Sequence, residues 1–186
     1  MVKGSYRRIG EDELVRASIG GDKLAFDEIV TRYQGMVART VKGMIGDSVF
    51  SEDIGQEVFI KLFYSLPEFR GEAKLSTYIQ KIAVNLTLNE IKRRKRFFSM
   101  FSQKGNSEMH EFEVVDYDTE EKKDAAEIVG KALKSLDPKF RVIVMMRMLQ
   151  GYSTKETAEI LDLPLGTVLS RLSRAQEQLK DILKKL

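Results

Sequence analysis

The chain has no cysteine and no tryptophan, and only one histidine, His110, and three prolines among 186 residues. Without cysteine there are no disulfides, thiolate metal sites or thiol nucleophiles. The lone histidine lies in a stretch without periodicity, so catalytic triads, imidazole acid–base sites and zinc sites are largely excluded. No run of eighteen apolar residues occurs, and the opening MVKGSYRRIGEDEL lacks the apolar core of a signal peptide. The expected location is cytoplasmic. Gly20-Gly21 and the glycines at 43 and 46 lack the spacing of a phosphate loop. No strand signal and no internal repeat appear. These absences argue against an enzyme, a cofactor site or a metal site.

The hydrophobic share is 42% and the charged share 32%, which suits a soluble chain of one or two small domains. Net charge is only +3, but it is unevenly placed. Residues 1–97 carry 17 basic against 13 acidic side chains, 98–123 carry 3 against 7, and 124–186 carry 11 against 8. Two cationic blocks flank an acidic connector, a pattern of two anion-binding modules joined by something that is not one.

In the first block, residues 11–19 predict a short helix stopped by Gly20-Gly21. Asp22 suits the N-cap of the next helix. There Phe26, Ile29, Val30, Tyr33, Val37, Val41 and Met44 recur at threes and fours, up to Gly46-Asp47. Ser51 is expected to cap a helix through residue 64, with Glu52 and Asp53 in its first turn. Ile54, Val58, Phe59, Leu62 and Phe63 form its apolar side, away from Asp53, Gln56 and Glu57. Pro67 breaks it, and residues 68–75 read as a loop carrying Phe69, Arg70 and Gly71.

Residues 76–96 contain neither Gly nor Pro and predict one uninterrupted helix. Ile79, Ile82, Ala83 and Leu86 form one apolar stripe, and Val84, Leu88 and Ile91 a second on the opposite side. A surface helix ordinarily has one such stripe. Between them runs a ridge of Lys81, Asn85, Asn89, Lys92 and Arg96, rich in donors and without an acid, ending in the run Lys92-Arg93-Arg94-Lys95-Arg96. A cationic helix end also suits the dipole. The ridge therefore reads either as a solvated basic helix end or as a surface for nucleic acid, with cations on phosphates and asparagines near bases.

Residues 97–120 lose periodicity and are expected to connect the modules without secondary structure. Their aromatics Phe97, Phe98, Phe101 and Phe112 suggest docking. Residues 124–135 predict a helix with Ile128, Val129, Ala132 and Leu133 inward. Asp137-Pro138 suits an N-cap followed by proline in the first turn, opening a helix that ends at Gly151. Residues 153–156, STKE, form a capping box. The short helix that follows, a break at Asp162-Leu163-Pro164 and a final helix from about residue 165 to 186 have helix–turn–helix proportions. Val168, Leu172, Ala175, Leu179 and Ile182 share its inner face. Thr167, Ser170, Arg171, Arg174 and Gln178 face outward, side-chain types that read base edges and hold phosphates. The fold class is all-α, in two small helical domains.

Several stretches together resemble the extracytoplasmic-function sigma factors, small two-domain sigma subunits of bacterial RNA polymerase. They are EDIGQEVF at 52–59, Phe69-Arg70-Gly71, Ile82-Ala83-x-Asn85 with the basic run, LDPKFR at 136–141, and LPLGTVxSRLxRA at 163–175. The resemblance implies a bundle at 1–97, an acidic linker at 98–123 and a helix–turn–helix module at 124–186. It implies that Asp53, Gln56, Glu57 and Lys61 meet the clamp of core polymerase. Phe69, Arg70, Lys74, Tyr78, Lys81, Asn85, Asn89, Lys92, Arg93 and Arg96 would engage the −10 element. Thr167, Ser170, Arg171, Arg174 and Gln178 would enter the −35 major groove. The linker would thread toward the polymerase cleft, and an anti-sigma factor, often membrane-anchored in such systems, would regulate the protein. Tyr78 stands where the family usually has tryptophan, and Leu169 and Ser173 where many members carry larger or charged side chains. Two other readings remain: a stand-alone helix–turn–helix regulator with an unrelated helical domain, and a protein that binds only another regulator.

Overall fold

The computed structural model describes residues 6–46, 48–102 and 120–185, and every regular element among them is helical. After a 3₁₀ turn at Tyr6–Arg8 come α1 (Glu11–Ile19), α2 (Lys23–Ile45), α3 (Val49–Ser65), a 3₁₀ turn at Leu66–Glu68, and α4 (Leu75–Ser102). The second module has α5 (Glu120–Ser135), α6 (Pro138–Val144) running into a π-helical turn at Met145–Leu149, α7 (Thr154–Leu161) and α8 (Leu165–Leu183).

Local chemistry starts and stops these helices. The Asp22 carboxylate accepts from the N–H groups of Leu24 at 2.9 Å and Ala25 at 3.3 Å, and from the Tyr6 hydroxyl. Gly46, at φ 88°, ends α2 in a conformation that a Cβ would strain. Asp137 caps α6 by accepting from Lys139 N–H at 3.0 Å, with Pro138 in the first turn. Ser153 and Glu156 close the capping box of α7, each side chain accepting from the other's N–H.

Some expectations shift. α3 begins at Val49, so Ser51 caps from inside the first turn: the Ser48 N–H donates to its Oγ at 3.1 Å. Phe63 is not core. It is 49% exposed and meets Phe26 edge-on at 5.1 Å. α4 runs beyond 96 to Ser102, because residues 97–102 hold no helix breaker; lost amphipathic period does not by itself end a backbone ladder. The stretch 97–120 is thus helical at both ends, with α5 starting at Glu120. Docking by Phe98, Phe101 and Phe112, and the position of His110, lie outside the described residues. Among the described side chains of α5, Ala132 and Leu133 are buried, whereas Ile128 and Val129 are more than two-fifths exposed. The helix expected up to Gly151 contains the π turn, whose signature is the Gln150 N–H donating to Met145 O at 2.9 Å.

Ile29, Val37, Val41 and Met44 of α2 meet Val58 and Leu62 of α3 and Ile79, Ala83 and Val84 of α4 in the first core. Leu136, Phe140, Ile143, Met146, Ile160, Val168 and Ala175 build the second. Each fully buried side chain of this size contributes about 1.5–3 kcal/mol of transfer free energy. The two cores are continuous, because α6, the π turn and α7 dock on α2 and α4. Arg141 helps tie them. Its buried guanidinium donates to the carbonyls of Leu133, Lys134 and Leu136 around the α5–α6 corner, and to Met44 O in the last turn of α2.

Candidate nucleic-acid interface

Both apolar stripes of α4 are packed, one helix flank after the other, against α2, α3 and α7. Ile79, Ile82, Ala83 and Val84 are buried, and Leu86, Leu88 and Ile91 are partly buried. What remains outward is the ridge: Asn85, Asn89, Lys92 and Arg96 are exposed, and Lys81 is half-buried. The expectation that two-sided packing leaves a polar crest is met.

The crest is less uniformly cationic than its sequence. Glu90 sits beside it and takes Arg93 through two hydrogen bonds, of 2.7 and 2.9 Å, and Arg94 through one of 2.8 Å. These arginines, Arg93 first, hold the Glu90 carboxyl down at about 2. The Arg94 guanidinium also lies 4.0 Å from the centre of the Phe50 ring. Lys92, Lys95 and Arg96 form no ion pair among the described residues and point to solvent. Three cations of the run are therefore available for phosphates, and Arg93 would have to leave Glu90 to join them. Neither sequence stripe included Glu90; its i,i+3 and i,i+4 spacing to the two arginines was the readable signal.

The loop before α4 is fixed from an unexpected place. Glu11 of α1 accepts the Leu75 N–H at 3.2 Å, capping α4 from outside the helix, and takes the Tyr33 hydroxyl as well. Burial, and then the Glu11 carboxylate, push the Tyr33 phenol well above its usual range. Gly71, at φ 73°, makes the turn that a Cβ would strain. The Phe69 and Tyr78 rings meet at 5.2 Å, tilted by 47°, and both are half-buried. Arg70 and Lys74 lie beside them, both exposed. Aromatic faces flanked by cations, with an amide two turns along the helix at Asn85, can stack and hold unpaired bases.

On α3, Glu52, Asp53, Gln56, Glu57 and Lys61 are exposed. Val49, Ile60 and Tyr64 share that side and are 73%, 58% and 76% exposed. The acidic surface is therefore seamed with apolar side chains. Val49, Ile60 and Tyr64 fall outside the apolar side expected from Ile54, Val58, Phe59, Leu62 and Phe63, and at 100° per residue they line up with Asp53, Gln56 and Glu57.

In the second module Asp162 adopts the left-handed conformation, φ 53°, and turns α7 into α8. Val168 and Ala175 are buried against α6 and α7. Ser170, Arg174 and Gln178 are exposed on the outer side of α8, and Thr167 and Arg171 are half-buried at its margin. The Ser170 hydroxyl donates back to Thr167 O at 3.2 Å. Leu169 is 50% exposed on the same helix. The five residues read from the sequence thus share one accessible strip along the N-terminal and middle turns of α8.

Comparisons with known proteins agree with this layout. A family model described as Sigma-70 region 2 matches residues 29–97, and one described as Sigma-70, region 4 matches residues 126–179. The ECF RNA polymerase sigma factor SigW of Bacillus subtilis is 29% identical over 173 residues, spanning 89% of this chain and 92% of that one. The ECF RNA polymerase sigma-E factor of Haemophilus influenzae is 31% identical over 181 residues, 94% of this chain and 95% of the relative. In fold the chain is similar to the sigma factor RpoE from Bartonella quintana, solved in complex with the anti-sigma factor NepR, with a TM-score of 0.69 at 21% identity over 86% of this chain and 96% of that one. Matched in both modules and nearly end to end by relatives of this kind, the chain belongs to the ECF sigma factors of the sigma-70 family.

Proposed function

We propose that this chain is an alternative sigma factor that joins core RNA polymerase and directs it to promoters. Residues 1–97 act at the −10 element, 98–123 are the acidic linker, and 124–186 act at the −35 element. Asp53, Gln56, Glu57 and Lys61 of α3 meet polymerase. Phe69, Arg70, Lys74, Tyr78, Lys81, Asn85, Asn89, Lys92, Arg93 and Arg96 bind −10 DNA, the aromatic and amide groups taking unpaired bases and the basic run taking the flanking duplex. Thr167, Ser170, Arg171, Arg174 and Gln178 read the −35 major groove. Catalysis belongs to the polymerase and not to this chain. Its place is the cytoplasm with that enzyme; no described helix is long and apolar enough to cross a membrane. An anti-sigma factor restrains it, as NepR is found bound to the Bartonella RpoE.

The observation that carries the reading is the α4 crest: a helix packed on both flanks, with Asn85 and Asn89 exposed in line with Lys92 and Arg96. The test is transcription by core polymerase with and without the chain. Asn85→Ala is expected to reduce promoter opening, followed by permanganate reactivity of unpaired thymines, about tenfold, the scale of one good base contact. Binding to closed duplex should change little. Equal losses in both assays would remove Asn85 from base capture. Promoter binding by the chain without core would favour the stand-alone regulator instead.

A further inference from the structure

The start of α4 lacks a cap of its own. Lys74, the residue before Leu75, carries only donors on its side chain, so it cannot take the N–H groups that the first turn leaves over. The acceptor comes from α1. One oxygen of Glu11 takes the Leu75 N–H at 3.2 Å, and the other takes the Tyr33 hydroxyl of α2. Glu11 and Tyr33 are both half-buried. Burial, and then the carboxylate, raise the Tyr33 phenol, so it stays protonated and keeps donating.

The peptide that Glu11 holds is the one that joins the loop to the helix. Its carbonyl, Lys74 O, accepts the Tyr78 N–H at 3.1 Å. Its amide, Leu75 N–H, is the group on Glu11. One peptide plane is therefore fixed at both edges, by Tyr78 on one side and by Glu11 on the other. The Tyr78 ring in turn meets the Phe69 ring at the far end of the loop. Leu66 and Leu75, which flank the loop, are each 1% exposed, whereas Arg70, Gly71, Glu72 and Lys74 between them are exposed. The loop is thus held at its two ends, and α1, which also packs on the 3₁₀ turn at Leu66–Glu68, lies against both. A site of this kind works only when neighbours hold its groups to about 0.5 Å.

We propose that Glu11 is a positioning residue for base capture. By fixing the Lys74–Leu75 peptide, with Tyr33 orienting its carboxylate, it sets Lys74, Tyr78 and Phe69 in the arrangement that receives an unpaired −10 base. The inference rests on the sigma-factor reading for what the loop receives. The anchoring itself is a property of the chain.

The test compares Glu11→Ala, Glu11→Gln and Asp22→Ala, each as the full chain with core polymerase. Glu11→Ala is expected to speed hydrogen exchange of the Leu75 amide in the free chain. It should also lower promoter opening, read by permanganate on unpaired thymines, about fivefold, the factor that one helix cap represents. Binding to closed duplex should change little. Glu11→Gln keeps an acceptor for Leu75 N–H and should restore both readouts. Asp22→Ala removes a cap of the same kind from α2, away from the loop, and should lower the denaturant midpoint while opening is kept. Opening unaffected by Glu11→Ala would overturn the proposal. So would a Glu11→Gln variant as impaired as Glu11→Ala, or an equal loss of opening in Asp22→Ala, which would reduce the effect to general stability. Core polymerase that opens no promoter even with the unaltered chain would overturn the sigma-factor reading, and base capture with it, while Leu75 exchange would still report the anchor.

Discussion

Glu90 alters the chemistry of the run it belongs to. A depressed carboxyl contributes stability that is fully present above its unfolded value and lost as pH falls through its folded value. Here the ion pairs persist at neutral pH and weaken between the ordinary 4.5 and about 2. Glu90→Gln should lower the neutral-pH urea midpoint modestly and flatten its fall between about pH 5 and pH 2, so that the two proteins converge in acid, where the carboxylate's ion pairs are lost in any case. The same variant releases Arg93 and should steepen the salt dependence of duplex binding, by about 0.9 in log–log slope for each further phosphate that the freed guanidinium neutralises. Unchanged acid slopes would mean that the arginines hold no special grip on this carboxylate. Glu90 was legible as a helix neighbour of Arg93 and Arg94. That it draws both arginines at once depends on rotamers that Phe50 helps set by its contact with Arg94.

At the scale of elements, the helix ends were the most legible parts. Asp22, Asp137 and the Ser153–Glu156 pair cap because short polar side chains reach backbone donors one turn away. The exception is α4, whose first N–H group is taken by Glu11, 64 residues earlier. No local signal announces such a cap. The α8 strip was also readable, since a single apolar face fixes the opposite one. Arg174→Ala is expected to weaken binding to −35 duplex and to make its salt slope shallower by about 0.9 if the guanidinium rests on phosphate. A weaker complex with an unchanged slope would assign Arg174 to a base edge instead. The π turn escaped notice because the periodicity of residues 138–149 differs little between an α-helix and one with a single inserted residue.

For the molecule as a whole, the decisive facts lie between the modules. Arg141 stands inside a motif of six residues, LDPKFR, yet half of its purpose is remote: it satisfies the α5–α6 corner and also the end of α2. Arg141→Met would leave several buried carbonyls unpaired and is expected to cost about 3 kcal/mol, read as a lower denaturant midpoint with little change in helical signal before the transition. A loss under about 0.5 kcal/mol would show that water replaces the guanidinium without penalty. Thr40, Gln80 and Gln150 behave in the same way. Each looks like an ordinary polar residue in the sequence, and although the Thr40 hydroxyl also donates to Met36 O one turn back, the three meet only because their partners lie 40 to 110 residues away.

The order of residues determined the helices, their caps, the two-sided packing of α4 and the outward strip of α8. All of these follow from neighbours within about one or two helical turns, where spacing alone decides which side chains share a face. The tertiary structure decided which arginines Glu90 takes, what caps α4, where apolar side chains stay exposed on α3, and that the second module is seated on the first. Those outcomes depend on contacts between distant segments. Their geometry comes from how whole cores fit together, which no local period of three or four residues encodes.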